Sequence, residues 1–99
     1  MVLGAYTNKS KCKTFNTIAD IAKSKGYGVR FFEDMRCGDR RSFIFILKNE
    51  NLCLSIYFEK YPTMGFGMPA HFELYDTEDT KIFLLDQKED LINRVKELI

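Results

Sequence analysis

The chain has no tryptophan, and among its 99 residues it has only two prolines, one histidine and three cysteines. The cysteines, Cys12, Cys37 and Cys53, are odd in number and widely spaced, which excludes a disulfide framework and a zinc site of paired ligands. No apolar run approaches the roughly 20 residues that a membrane helix needs. The first residues also lack the pattern of a signal peptide. These absences predict a cytoplasmic protein without metal or cofactor.

An excess of one charge is also missing, since fifteen Lys and Arg face fourteen Asp and Glu and the net charge is +1. This balance disfavours a strongly basic polyanion binder. The two halves of the chain differ, however. Residues 1–50 carry ten basic and five acidic side chains, whereas residues 51–99 carry five and nine. Such an asymmetry can orient an approaching partner.

Apolar residues make up 45% of the chain, and nine Phe and five Tyr are too many for a disordered protein. The length allows one domain, residues 1–99, with one core. A period of 3.6 predicts a helix at about 12–25, which Gly26 ends. Five segments of period two follow, and Asp86, with Glu89 three residues later, predicts the cap of a second helix.

We therefore predict an α+β fold, in which an antiparallel four- to five-stranded meander is flanked by an N-terminal and a C-terminal helix. No period is visible in residues 1–10. The five expected strands lie at 27–32, 43–47, 52–59, 72–75 and 82–85.

The predicted core combines the apolar stripes of the two helices with the inward positions of the strands. It comprises Phe15, Ile18, Ala22, Val29, Phe43, Phe45, Leu54, Ile56, Phe72, Leu74, Leu91 and Val95.

The second expected strand, residues 43–47, is apolar on both faces, so its pattern does not decide which face meets the helices. Two helices that pack side by side cover one face of a sheet. The other face would then expose apolar side chains, which favours burial by a partner or a homodimer.

The loop at 61–69 holds two prolines, two glycines and no charged residue, so regular structure is not expected there. Its large apolar side chains suit the centre of an interface, and the alternative is that they fold back over the end of the sheet. The predicted partner-binding residues are Tyr61, Met64, Phe66 and Met68.

Basic residues form two clusters in the first half of the chain, one before the first helix and one around the first strand connection. As an alternative function, these clusters predict contacts to the phosphates of a nucleic acid. They comprise Lys9, Lys11, Lys13, Arg36, Arg40 and Arg41.

The residue types of catalysis are sparse. Cys53 and His71 lie on the outward faces of two expected strands, so a nucleophile–base pair is conceivable in geometry. Nothing in the sequence around Cys53 indicates an activated thiol, however, and an ordinary polar sheet face accounts for His71. We therefore predict no catalytic residues.

The function predicted from these features is that of a small non-enzymatic binding protein. It would act stoichiometrically on a protein partner, as an inhibitor, an immunity-type protein or a regulatory factor. Small α+β chains of this kind are common in phage and mobile-element genomes, which is an analogy of class alone. The alternative is a nucleic-acid-binding regulator.

Overall fold

The structure, a computed structural model, describes residues 4–7, 9–10, 12–34, 41–59, 70–76 and 79–99. Within these ranges, six strands and two helices follow one another, with a 3-10 turn at Leu85–Gln87 before the second helix. The strands are β1 (Gly4–Thr7), β2 (Gly28–Asp34), β3 (Arg41–Lys48), β4 (Asn51–Glu59), β5 (His71–Tyr75) and β6 (Thr80–Leu84). The helices are α1 (Lys13–Ser24) and α2 (Lys88–Leu98).

The strands form one antiparallel sheet in the order of the chain, β1-β2-β3-β4-β5-β6. This arrangement confirms the predicted α+β meander with its two helices. The short connection between β3 and β4 closes through Asn49 and Glu50, which both adopt positive φ. The backbone twist of such a two-residue turn matches that of the flanking strands.

Strand β1 was not predicted. It pairs with β2 from Gly4↔Asp34 to Thr7↔Phe31. The segment is four residues long, so its sequence is too short to show a period of two. Pairing with β2, and not a local pattern, accounts for this edge strand.

Helix α1 ends as the sequence predicts. Gly26 has a φ of 87°, and the backbone N–H groups of Gly26 and Tyr27 donate to the carbonyls of Lys23 and Ala22. The predicted cap at Asp86 is wrong. Helix α2 begins two residues later, and Gln87 instead accepts a hydrogen bond from the backbone N–H of Leu84, at 2.9 Å.

Both helices pack on one face of the sheet. Phe15 of α1 lies against Phe58 and Phe72, with ring centroids 6.4 and 5.8 Å away. The buried apolar cluster comprises Phe15, Ile18, Ala19, Ala22, Phe31, Ile44, Ile46, Leu54, Ile56, Phe72, Leu74, Phe83, Leu91 and Val95.

Two residues of the predicted core are wrong. Phe43 and Phe45 are only half-buried and point away from the helices, whereas Ile44 and Ile46 are fully buried beneath them. The cause is the apolar character of both faces of β3, which allowed either assignment. Val29 is partly buried at the margin of the cluster, and the other nine predicted residues lie within it.

Candidate functional site

The candidate site is the sheet face that neither helix covers, which we call the open face. Strand pairing brings its side chains into cross-strand rows, because directly paired residues of neighbouring strands point to the same side. One row runs from Phe32 through Phe43 and Tyr57 to Glu73. The described open-face residues that we use below are Arg30, Phe32, Arg41, Phe43, Phe45, Ser55, Tyr57, Glu59, His71, Glu73, Tyr75, Ile82 and Leu84.

An aromatic cluster occupies the middle of the open face. The ring of Phe43 lies 5.1 Å from that of Tyr57, 5.9 Å from that of Phe32 and 6.0 Å from that of Phe45, between centroids. All four side chains are half-buried. Aromatic pairs at such distances stabilise one another by about 0.5–1.5 kcal/mol beyond the burial of their area. The cluster is therefore an ordered apolar surface.

A polar network lies beside the aromatic cluster. Glu59, which is 5% exposed, accepts hydrogen bonds from the Tyr57 hydroxyl and from Nε of Arg41, the latter at 3.2 Å. Because the charges of Arg41 and Glu59 neutralise each other here, this pair adds little net charge to the face.

A second carboxylate continues the network on β5. Glu73 accepts a hydrogen bond from the Tyr75 hydroxyl at 2.8 Å, and its other oxygen lies 3.2 Å from Nε2 of His71. The rings of His71 and Tyr57 meet edge to face at 6.5 Å. The sequence predicted that His71, Glu73 and Tyr75 share an outward face, and the strand register agrees.

The two tyrosines of this network are hydrogen-bond donors and not bases. Burial, reinforced by the hydrogen bond to Glu59 and its charge, raises the pKa of Tyr57 far above its ordinary value. Burial and Glu73 likewise raise the pKa of Tyr75. Both phenols therefore stay neutral at physiological pH, which does not favour acid–base chemistry at this face.

The Cys53–His71 pair is not formed. His71 pairs with Glu59 across β4 and β5, and Cys53 lies on β4 at the opposite end of the strand. Six residues at about 3.3 Å each separate the two positions by roughly 20 Å. The thiol of Cys53 lies instead near the backbone oxygen of Asn51, at 3.8 Å.

The basic clusters are only partly within the described residues. Lys9 and Lys13 are exposed, and Lys13 begins α1 on the helix side of the sheet. Arg41 lies on the open face and is engaged with Glu59. These described members therefore do not join into one patch. Lys11, Arg36 and Arg40 lie outside the described residues.

The predicted partner-binding residues, Tyr61, Met64, Phe66 and Met68, also lie outside the described residues. Sequence reasoning did not assign a binding role to the aromatic cluster on β2, β3 and β4. A signal for it existed, because residues 43–47 are apolar at every position. That signal identified a two-sided strand but not the side that carries the aromatic rings.

A polar groove separates β6 from α2, with a volume of about 470 Å³. Its charged residues carry both signs, and Arg94 forms an ion pair with Glu97 at 3.0 Å. The groove is lined by Lys81, Ile82, Phe83, Gln87, Asp90, Asn93, Arg94 and Glu97. This lining holds no cluster of like charge and no histidine or cysteine, so it offers no distinct chemistry.

A buried polar pair lies on the helix side of the sheet. The hydroxyl of Ser42 donates to Oε2 of Glu33 at 2.7 Å, while Oε1 of Glu33 has no hydrogen-bond partner. The nearby thiol of Cys12 is also partly buried, and burial raises its pKa. A thiol in this state is a poor nucleophile.

No group of three or more His, Cys, Asp or Glu side chains within the described ranges is arranged to hold a metal ion. Neither α1 nor α2, the helices of the described chain, has the length and apolarity to cross a bilayer. Comparison of the chain with protein-family models, with curated proteins and with solved structures finds no match.

Proposed function

We propose that the protein is a non-enzymatic binding protein that acts stoichiometrically on a protein partner, with the open face as its contact surface. It would serve in the cytoplasm as an inhibitor, an immunity-type protein or a regulatory factor. The unpaired thiols of Cys12 and Cys53 support a reducing compartment.

The observation that carries this proposal is the position of the aromatic cluster. Phe32, Phe43, Phe45 and Tyr57 lie on the face without helices, and they stay half-buried among themselves. Aromatic residues and arginine are enriched at the centre of protein interfaces, since they supply a large contact area at a low cost in side-chain entropy. Arg30 is exposed beside this cluster.

The charges of the face support a protein partner over a polyanion. Arg41 is bound to Glu59, and Glu73 adds a further carboxylate beside Tyr75. A phosphate-binding surface would instead carry an excess of free Lys and Arg.

A nucleic-acid-binding regulator is the second candidate. It is favoured by one observation, since aromatic side chains on the open face of an antiparallel sheet can stack with the bases of a single strand. Arg30 lies in the same row as Phe45 and could contact a phosphate.

The experiment is affinity capture from a lysate of the native host with the tagged full chain, followed by titration of the purified partner. We expect a protein in a fixed molar ratio, and we expect Phe43→Ser to lose it. Leu85→Ser is the matched control, because Leu85 is an exposed apolar residue outside the sheet. Retention of the partner by Phe43→Ser would contradict the open face as the contact surface.

The same preparation distinguishes the second candidate. Binding to single-stranded DNA and RNA is measured at low and at high salt, because phosphate contacts weaken steeply as salt rises. Salt-sensitive binding of a nucleic acid, with no protein captured, would replace the first candidate by the second.

A further inference from the structure

We propose that the open face also binds a second copy of this chain, as a two-fold dimer in which the two sheets pack face to face. The inference rests on the proposed function only in taking the open face to be a contact surface. It names one occupant of that surface, which the protein itself supplies. The argument uses the aromatic cluster, the order of charges across the sheet and the state of the β6 edge.

Charge changes sign across the open face. Arg30 on β2 is exposed, and no described residue pairs with it. Glu73 on β5 carries the opposite charge, and its side chain remains 23% exposed. Between them lie Phe43 and Tyr57 on the two central strands, β3 and β4. The face thus has a basic side, an aromatic centre and an acidic side.

This order is self-complementary for one kind of two-fold axis. An axis parallel to the strands, between β3 and β4, reverses the strand order of the second copy. It therefore places β2 over the other copy's β5 and β3 over its β4. Arg30 shares a cross-strand row with Phe45, Ser55 and Tyr75, so it would lie over the second copy's Tyr75 and reach the neighbouring Glu73.

The alternative axes are less favourable. An axis across the strands would place β2 over β2 and β5 over β5, so like charges would meet. Growth of the sheet through β6 is obstructed, because the backbone N–H of Thr80 is bound by Asp79 and that of Leu84 by Gln87. Side chains that occupy the edge groups of a strand hinder the addition of another strand. The face is thus the better surface for a second copy.

The area sets the expected strength of the dimer. Six strands at about 4.8 Å and five residues at about 3.3 Å give a footprint of roughly 25 by 17 Å. This is smaller than the roughly 800 Å² per partner of a standard specific interface. We therefore expect a reversible dimer with a dissociation constant in the micromolar range.

The test measures the mass of the full chain by sedimentation equilibrium, from about 1 to 200 µM, which brackets the micromolar range of such interfaces. We expect a shift from monomer to dimer. Arg30→Glu and Glu73→Lys should each raise the dissociation constant about tenfold or more, since each homodimer would then bring like charges together twice. Thermal unfolding of each variant checks that it is folded.

Mixing the two variants gives the decisive measurement. A heterodimer of Arg30→Glu with Glu73→Lys brings opposite charges together in both pairs, so the mixture should dimerise as the original chain does. Lys23→Glu is the control, since Lys23 is exposed on α1 and lies on the other side of the sheet. It should leave the dissociation constant unchanged.

Two outcomes would overturn the dimer. One is a monomer throughout the concentration range, and the other is a dimer whose affinity neither charge reversal nor the mixture changes. Neither outcome bears on the capture of another protein, which a monomer can also perform. Conversely, a dimer that is sensitive to both reversals stands even where no other protein is captured.

Discussion

Phe43 and Ile44 are neighbours in β3, yet they lie on opposite faces of the sheet. Ile44 is fully buried beneath the helices, and Phe43 packs against Tyr57 on the open face with a centroid distance of 5.1 Å. Because side chains alternate along a strand, this arrangement holds for the whole of β3. The strand therefore contributes to the core with one set of residues and to the candidate contact surface with the other.

This alternation predicts a difference in stability between two truncations. Ile44→Ala should lower the free energy of unfolding by about 2–5 kcal/mol, because it leaves a cavity in the core. Phe43→Ala should cost less, since its ring is half-buried and its removal leaves no enclosed space. Urea unfolding of both variants measures the difference. An equal or larger loss for Phe43→Ala would mean that the open face is part of the core.

The Ser42–Glu33 pair predicts a second, non-additive effect. Ser42→Ala should lower the free energy of unfolding by about 1–3 kcal/mol, because it leaves a buried carboxylate without its donor. Adding Glu33→Leu should recover most of that loss, since an apolar side chain needs no donor.

A double-mutant cycle over Ser42 and Glu33 measures this coupling by urea unfolding. The control is Ser55→Ala, on the half-buried part of the open face. Additive effects of Ser42→Ala and Glu33→Leu would contradict a coupled buried pair.

Tyr57 predicts a dependence of stability on alkaline pH. Burial and Glu59 raise the pKa of its phenol in the folded chain, whereas the unfolded phenol ionises near pH 10. The folded state then holds this proton more tightly. Its contribution to stability is complete below about pH 10 and is lost as the pH rises through the folded-state pKa.

Urea unfolding between about pH 8 and pH 11 tests this sign, a window that spans the ordinary ionisation of tyrosine. We expect the stability of the original chain to fall more steeply with pH than that of Tyr57→Phe. Tyr27→Phe serves as the comparison, because Tyr27 is partly buried on another strand approach. Identical slopes for Tyr57→Phe and the original chain would contradict a raised phenol pKa.

Much of the fold was predictable because local patterns and tertiary packing agree. The helix stripe that includes Phe15, Ile18 and Ala22 is buried as predicted, and the period-two segments became β2 to β6. The strand β1 was not predictable, since its four residues are held by pairing with β2 and carry no pattern of their own.

The candidate site was less predictable, for a physical reason. The alternation in β3 separates two sets of side chains, but both sets are apolar, so hydrophobicity cannot assign them to a face. The difference is one of shape. The helices cover the β-branched Ile44 and Ile46, while the larger rings of Phe43 and Phe45 stack with each other on the open face.

The last prediction concerns partner binding and the loop at 61–69. Gly65 and Gly67 permit Phe66 to project from a segment that two prolines constrain. Phe66→Ala should therefore weaken binding of the captured protein by about 2 kcal/mol or more, with an unchanged melting temperature. The paired Arg40→Ala and Arg41→Ala substitutions should mainly slow association and reduce its salt dependence. Titration and thermal melts of these variants test both. Unfolding of Phe66→Ala would show that the loop caps the core, and loss of nucleic-acid binding in the arginine variant alone would favour the alternative function.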